Sequence, residues 1–328
     1  MRRVTSNQFA NNAMWKFADM ISNKLILLVI TILLARLITP EAYGVVALTM
    51  VFIGFSDIFI LNGFNIALIR KETVDEIDYS TVTTMSLVFT VFMYLIIFVT
   101  APYAASFYKS PDLCLVLRII TILLFFRSIV SVIRAKGTRE LQFKRMVISA
   151  FISNVSAGVI ALVLAYLGWG IWALVAQQLL AGFLDMIILM HIFRWHLSLK
   201  ISFSVVKGML KFTVGVLGTS FLDFLGNNVS SLIIGKSYST KDLGYYNRAN
   251  ILPETIGLNA YNSINSVLLP TLASLQNDRD AMKRVTRKVM SLTEYIILPM
   301  MFGLIGVANV LIPVLLTDKW VSSIPLMY

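Results

Sequence analysis

Five cations fall inside long apolar runs: Lys16, Lys24, Arg118, Arg127 and Arg248. An ammonium or guanidinium at the centre of a membrane helix costs about 2.5–3.5 kcal/mol, so it turns toward a cavity, a partner or the interface. Such a cation can hold an anion, a phosphate above all, through charge-assisted hydrogen bonds that strengthen where water is scarce. Lys24 has no acid three or four residues away, and the acid nearest Arg248, Glu254, is six away. Both are expected to bind an anion rather than to pair within their own helix. Lys16 and Asp19 can neutralise one another, and Lys16 can also snorkel. Arg118 and Arg127 are nine residues apart, on opposite faces of one helix. Arg127 shares its face with Arg134 and the basic residues beyond it, while Arg118 can snorkel the other way; a cavity role for either stays open.

Polar residues line up with these charges. Asn12, Lys16, Asp19 and Asn23 follow one another at spacings of four, three and four, which puts them on one helical face. Ser220, Asp223, Asn227 and Ser231 form a second stripe, and Arg248, Thr255, Asn259, Asn262 and Ser266 a third. None of these faces suits lipid, so together they predict a wet interior. The acids Asp57, Asp185, Asp223 and Glu254 could hold a sodium ion or a proton there, or serve as satisfied structural groups. Covalent chemistry finds no support: HExxH, Walker A, GxSxG and a cysteine–histidine set are all missing from the sequence. The single cysteine, Cys114, excludes an internal disulfide. His191 and His196 fall at a helix end, where loop placement explains them. No cofactor and no metal is expected.

The elements that carry these residues are membrane spans. A hydrocarbon core about 30 Å thick needs ~20 apolar residues per helix. Nine such segments run roughly over 10–36, 43–69, 80–107, 113–133, 146–168, 170–193, 209–235, 243–274 and 289–317, and a tenth is expected to begin near Ile324. Alternate loops are basic: eighteen of the 28 Lys and Arg lie in the N-terminal segment and the even-numbered loops, against Arg36, Lys109, Lys236, Lys241 and Lys319 in the others. That bias places the N-terminus and the even-numbered loops in the cytoplasm. A composition 58% hydrophobic and 14% charged, with a mean hydropathy of +0.80, fits no soluble domain of this length. The net charge of +11 is therefore no sign of nucleic-acid binding; it orients the chain and meets anionic lipid head groups. The first segment is too long and too charged for a cleavable signal. Tyr103, Phe107, Tyr108, Trp169, Trp172, Tyr245 and Tyr246 cluster at span ends as interface anchors.

The chain repeats itself at an offset of 200. The corner Leu34-Ala-Arg-Leu-Ile-Thr-Pro-Glu-Ala-Tyr-Gly44 pairs with Ile234-Gly-Lys-Ser-Tyr-Ser-Thr-Lys-Asp-Leu-Gly244, matching Arg36 to Lys236, Thr39 to Ser239 and Gly44 to Gly244. Asn65 and Leu68 then pair with Asn265 and Leu268. Six spans separate the two copies, so the chain returns to the same side and the repeats run parallel about an axis along the membrane normal.

The opening Asn-Asn-Ala-Met-Trp-Lys-Phe-Ala-Asp run, the LLARLITPEAYG corner and the stretch Leu243-Gly-Tyr-Tyr-Asn-Arg-Ala-Asn-Ile-Leu-Pro253 resemble the polysaccharide-transporter branch of the multidrug/oligosaccharidyl-lipid/polysaccharide superfamily. The resemblance covers essentially the whole chain. It implies an all-α polytopic membrane protein built as two six-helix lobes, like the MATE exporters, around a cavity that opens alternately to each side. On that plan residues 1–200 form the N-terminal lobe with helices 1–6. Residues 201–328 form a partial second lobe with helices 7–9 and the start of a tenth, so the chain is expected to be C-terminally truncated relative to the family. The implied function is a flippase for undecaprenyl-pyrophosphate-linked oligosaccharide in the bacterial inner membrane, serving O-antigen or exopolysaccharide synthesis, without enzymatic activity. Lys24 and Arg248, with Lys16, Arg118 and Arg127 in support, would hold the pyrophosphate in a substrate cavity that Asn23, Asn227 and Asn259 would also line. Asp57, Asp223 and Glu254 are candidates for a coupling ion. Membrane lipids are implied partners, as are a polysaccharide polymerase and a chain-length regulator; nucleic acid is not. Two rivals remain: a cation-coupled exporter of the same superfamily, which would want acids rather than bases in its cavity, and a membrane polymerase or glycosyltransferase, which would need larger external loops and catalytic acids.

Overall fold

A computed structural model of the protein describes residues 27–275 and 278–327, and all regular structure among them is helical. Helix α1, Leu27–Leu37, ends at a corner where Thr39 caps α2, Pro40–Asp57. A π-helical turn, Ile58–Asn62, joins α2 to α3, Gly63–Arg70, in one continuous span. Then follow α4, Glu76–Phe107, α5, Pro111–Ile120, α6, Leu123–Arg139, α7, Phe143–Tyr166, and α8, Ile171–Ile192. The series closes with α9, Phe203–Ser237, α10, Thr240–Ser274, α11, Arg279–Leu316, and a 3₁₀ stretch, Asp318–Met327.

Local chemistry sets these boundaries. Pro40 and Pro111 open their helices at positions where a missing N–H costs nothing, each followed by an acid that suits the positive helix end. The Asp78 carboxylate accepts the Asp75 N–H at 3.0 Å and both its oxygens take the Lys71 ammonium at 2.7 Å. Arg139 then donates to the carbonyls of Leu68, Ile69, Lys71 and Glu72, closing the C-terminal end of α3.

Seven helices among the described residues are long and apolar enough to cross a membrane. They correspond to the expected spans 2–7 and 9. The eighth, α10, is helical throughout its length, and of the first span only α1 falls in the described residues. Where a tenth helix is expected to begin, near Ile324, the described residues form the 3₁₀ stretch Asp318–Met327. After α11 the chain turns at Thr317, whose φ is 82°, and Trp320 is fully buried with its ring edge-on to Tyr245 at 6.0 Å.

The chain divides into two compact units, residues 1–243 and 244–328. In the first unit, apolar cores form between α2, α4 and α5 (Ile53, Met93, Ile97, Leu117) and between α3, α4 and α6 (Leu68, Val82, Val132). Helix α7 presents Ser149, Ser153, Ala157, Ala161 and Ala165, a small residue every fourth position, and all are buried. Small residues let membrane helices approach closely, since lipid offers no hydrophobic force to press them together. Helix α9 packs on α2 and α3: Phe55 meets the rings of Phe221 and Phe224 edge-on, and Asn62 donates to Ser220 at 3.3 Å.

The corners at residues 34–44 and 234–244 share more than sequence. Both helices end and restart at positions 200 apart, Leu37/Pro40 and Ser237/Thr240. Thr39 Oγ1 accepts the Ala42 N–H, and Ser239 Oγ accepts the Asp242 N–H. The N–H of Ile38 reaches Leu34, and that of Tyr238 reaches Ile234.

Candidate functional site

Helix α6 carries Arg127 and Arg134, seven residues and two turns apart, on one face. Arg127 lies twelve residues before the helix ends at Arg139, about 18 Å at 1.5 Å per residue, which is membrane depth. Its guanidinium forms an ion pair with Asp57, at the end of α2. Arg134 pairs with Asp185 of α8 at 2.9 Å, and the other Asp185 oxygen accepts the Ser149 hydroxyl of α7 at 2.6 Å. A cavity of about 200 Å³ opens beside both arginines, walled also by Ser153, Asn154, Gln178 and Asp185. The first unit thus holds two guanidinium–carboxylate pairs two turns apart along α6, the Arg127 pair deeper in the span than the Arg134 pair.

The π-helical turn explains how Asp57 comes to this place. Widening the helix by one residue per turn frees a carbonyl, that of Ile60. Asn65 Nδ2 donates to it at 3.1 Å and Ser86 Oγ at 3.3 Å, and Asn65 Nδ2 also lies 3.0 Å from Ser131 Oγ of α6. The turn is therefore held from α3, α4 and α6, and with Asn62 on Ser220 it touches α9 as well. Single-turn π segments of this kind recur at functional sites.

The sequence-predicted site residues fall in three groups. Arg127 and Asp57 are brought together. Arg118 is separate: it stacks on the Phe98 ring at 4.3 Å and donates to the Phe98 carbonyl at 3.3 Å. Asp223 and Asn227 are exposed on α9, while Arg248, half-buried, and Glu254, exposed, belong to α10. Lys16, Asn23 and Lys24 lie outside the described residues, as does the side chain of Asn259. The pairing of Arg134 with Asp185, and the cavity lining of Asn154 and Gln178, escaped sequence reading. Their only signal was polarity in apolar spans, and contact between different spans is invisible in a linear pattern.

Comparison of the fold first sets the class. The chain shares the architecture of the lipid II flippase MurJ in its inward closed conformation, with a TM-score of 0.69 and 14% identity, over 97% of this chain and 71% of that one. It is a multi-pass membrane protein. It belongs to the polysaccharide biosynthesis protein family, whose profile matches residues 33–325. Among its relatives, the succinoglycan biosynthesis transport protein ExoT of Rhizobium meliloti strain 1021 is 25% identical over 90% of this chain and 60% of its own length. The teichuronic acid biosynthesis protein TuaB of Bacillus subtilis strain 168 is 23% identical over 83% and 57%. The lipopolysaccharide biosynthesis protein WzxC of Escherichia coli K12 is 23% identical over 90% and 60%. The chain thus spans about three-fifths of the length of these curated relatives.

Proposed function

We propose that this protein moves a polyprenyl-pyrophosphate-linked oligosaccharide across the bacterial inner membrane by alternating access, as a transporter without catalytic chemistry of its own. The observation that carries the reading is the fold it shares with a lipid flippase, in a family named for polysaccharide biosynthesis. The N-terminus and the basic loops are cytoplasmic on this reading. A polysaccharide polymerase and a chain-length regulator would act on the product outside. An inside-negative potential then favours outward movement of a negative headgroup by about 2.3 kcal/mol per charge per 100 mV.

Arg248 and Lys24 are the proposed pyrophosphate ligands, with Lys16 as a secondary one and the exposed Asn227 as a further substrate-binding residue. Arg127 and Arg118 can join only by giving up Asp57 and the Phe98 ring respectively, so they are placed second. Complementation of a strain lacking its own lipid-linked-glycan flippase tests this. Arg248→Ala and Lys24→Ala should each lower surface glycan at least tenfold at unchanged protein level in the membrane. Arg248→Lys should keep partial export, because the charge survives and the planar fork does not. Normal export by the double alanine variant would overturn the assignment.

A further inference from the structure

At the end of the first unit that carries the basic loops, a pocket of about 480 Å³ is lined by Ser80, Lys136, Arg194, Trp195, His196 and Lys200, with Glu76 the acid in its wall. Its floor is built rather than incidental. The Ser80 hydroxyl contacts the Ser198 carbonyl at 2.9 Å, the Ser198 hydroxyl at 3.1 Å and the Lys200 carbonyl at 3.1 Å, and accepts the Lys200 N–H at 2.7 Å. Ser202 N donates to Thr81 at 3.0 Å. These bonds tie the linker between α8 and α9 to the start of α4. Lys136 is held over the rings of Tyr79 and Trp195, at 5.9 and 5.7 Å. Among the described residues the buried Trp195 indole N–H finds no acceptor.

The linker alternates. Ser198, Lys200 and Ser202 make the bonds to α4, while Leu197, Leu199, Ile201 and Phe203 are exposed, the last at 84%. An exposed apolar edge beside a basic pocket at a helix end suits the headgroup zone of a bilayer, with the edge in the acyl boundary and the cations at phosphate level. We propose that this pocket binds the phosphodiester of an anionic phospholipid, with Lys136, Arg194 and Lys200 as its charged ligands. None of its residues is among the proposed pyrophosphate ligands. It rests on the membrane orientation of the proposed function and not on transport.

Native mass spectrometry of the full chain in detergent, with added phosphatidylglycerol, phosphatidylcholine of the same acyl chains, or inorganic phosphate, tests it. Phosphatidylglycerol should bind at least tenfold more tightly than phosphatidylcholine. The triple variant Lys136→Ala, Arg194→Ala, Lys200→Ala should lose that preference, and so should Ser80→Val, which unties the floor without removing charge. A triple variant at Arg279, Lys283 and Arg284, exposed basic residues of the second unit, should keep it. Equal binding of the two lipids, equal loss in the control triple, or binding of inorganic phosphate without lipid preference would each overturn the proposal. Lipid binding is read without export, so its failure is separable from failure of the flippase reading.

Discussion

Asp57 and Arg127 show how a single residue changes meaning with its partner. Alone, each would be an uncompensated charge at membrane depth; together they neutralise one another, while one buried Asp57 oxygen finds no donor among the described residues. Removing one member of a buried pair typically costs about 3–5 kcal/mol, whereas replacing both by apolar residues of similar volume is often near neutral. Asp57→Leu should therefore lower the thermal unfolding midpoint of the purified protein, and the double variant Asp57→Leu, Arg127→Met should recover most of it. If the double variant regains stability but not glycan export, the pair also works in transport. Full recovery of both would make it structural. Arg134 and Asp185 invite the same cycle, with Ser149 as a third member that would remain to donate to water in the cavity.

Among elements, the span from Pro40 to Arg70 stands apart because its helix widens at Ile58–Asn62. A freed carbonyl in a bilayer must find a donor, and the Ile60 carbonyl finds Asn65 and Ser86. Asn65→Leu leaves it one donor and removes the link to Ser131, whose hydroxyl keeps its bond to the Ser128 carbonyl, so a loss of about 1–3 kcal/mol in stability is expected, visible as a lower unfolding midpoint in detergent. An unchanged midpoint would mean that the turn is not held by Asn65. Helix α7 depends on smallness instead of polarity: a Cβ at Gly158 would overlap the Ile30 side chain of α1.

For the whole molecule, orientation is the property on which sidedness depends. A reporter fused after Lys144 should be cytoplasmic, and reporters after Lys109 and Lys241 should be external. An external signal at Lys144 would invert the mechanism and move the basic pocket to the other leaflet. The repeat at an offset of 200 and the compact units at 1–243 and 244–328 describe different things. The repeat follows chain register and the twin corners capped by Thr39 and Ser239, whereas compactness follows packing, which places α9 with the helices before it.

Hydropathy and length were enough, from sequence alone, to fix the membrane class and the spans carried by α2–α9 and α11, while the residue runs at the two corners carried the family resemblance. The reason is that about 20 apolar residues must bridge a bilayer whatever their neighbours are. Arg127 and Asp57 were legible as charges at depth, because their cost is local. That they meet, and that Arg134 leaves the basic end of its helix to pair with Asp185, was decided by how three helices pack. Nothing in the spacing within one span specifies a partner in another. The burial of Trp320 against Tyr245 was hidden for a related reason, since the two lie 75 residues apart in the chain. Ser198, Lys200 and Ser202 read as loop residues until the tertiary structure bound them to α4, and it is that binding, across 118–121 residues of chain, that makes a pocket of a charged linker.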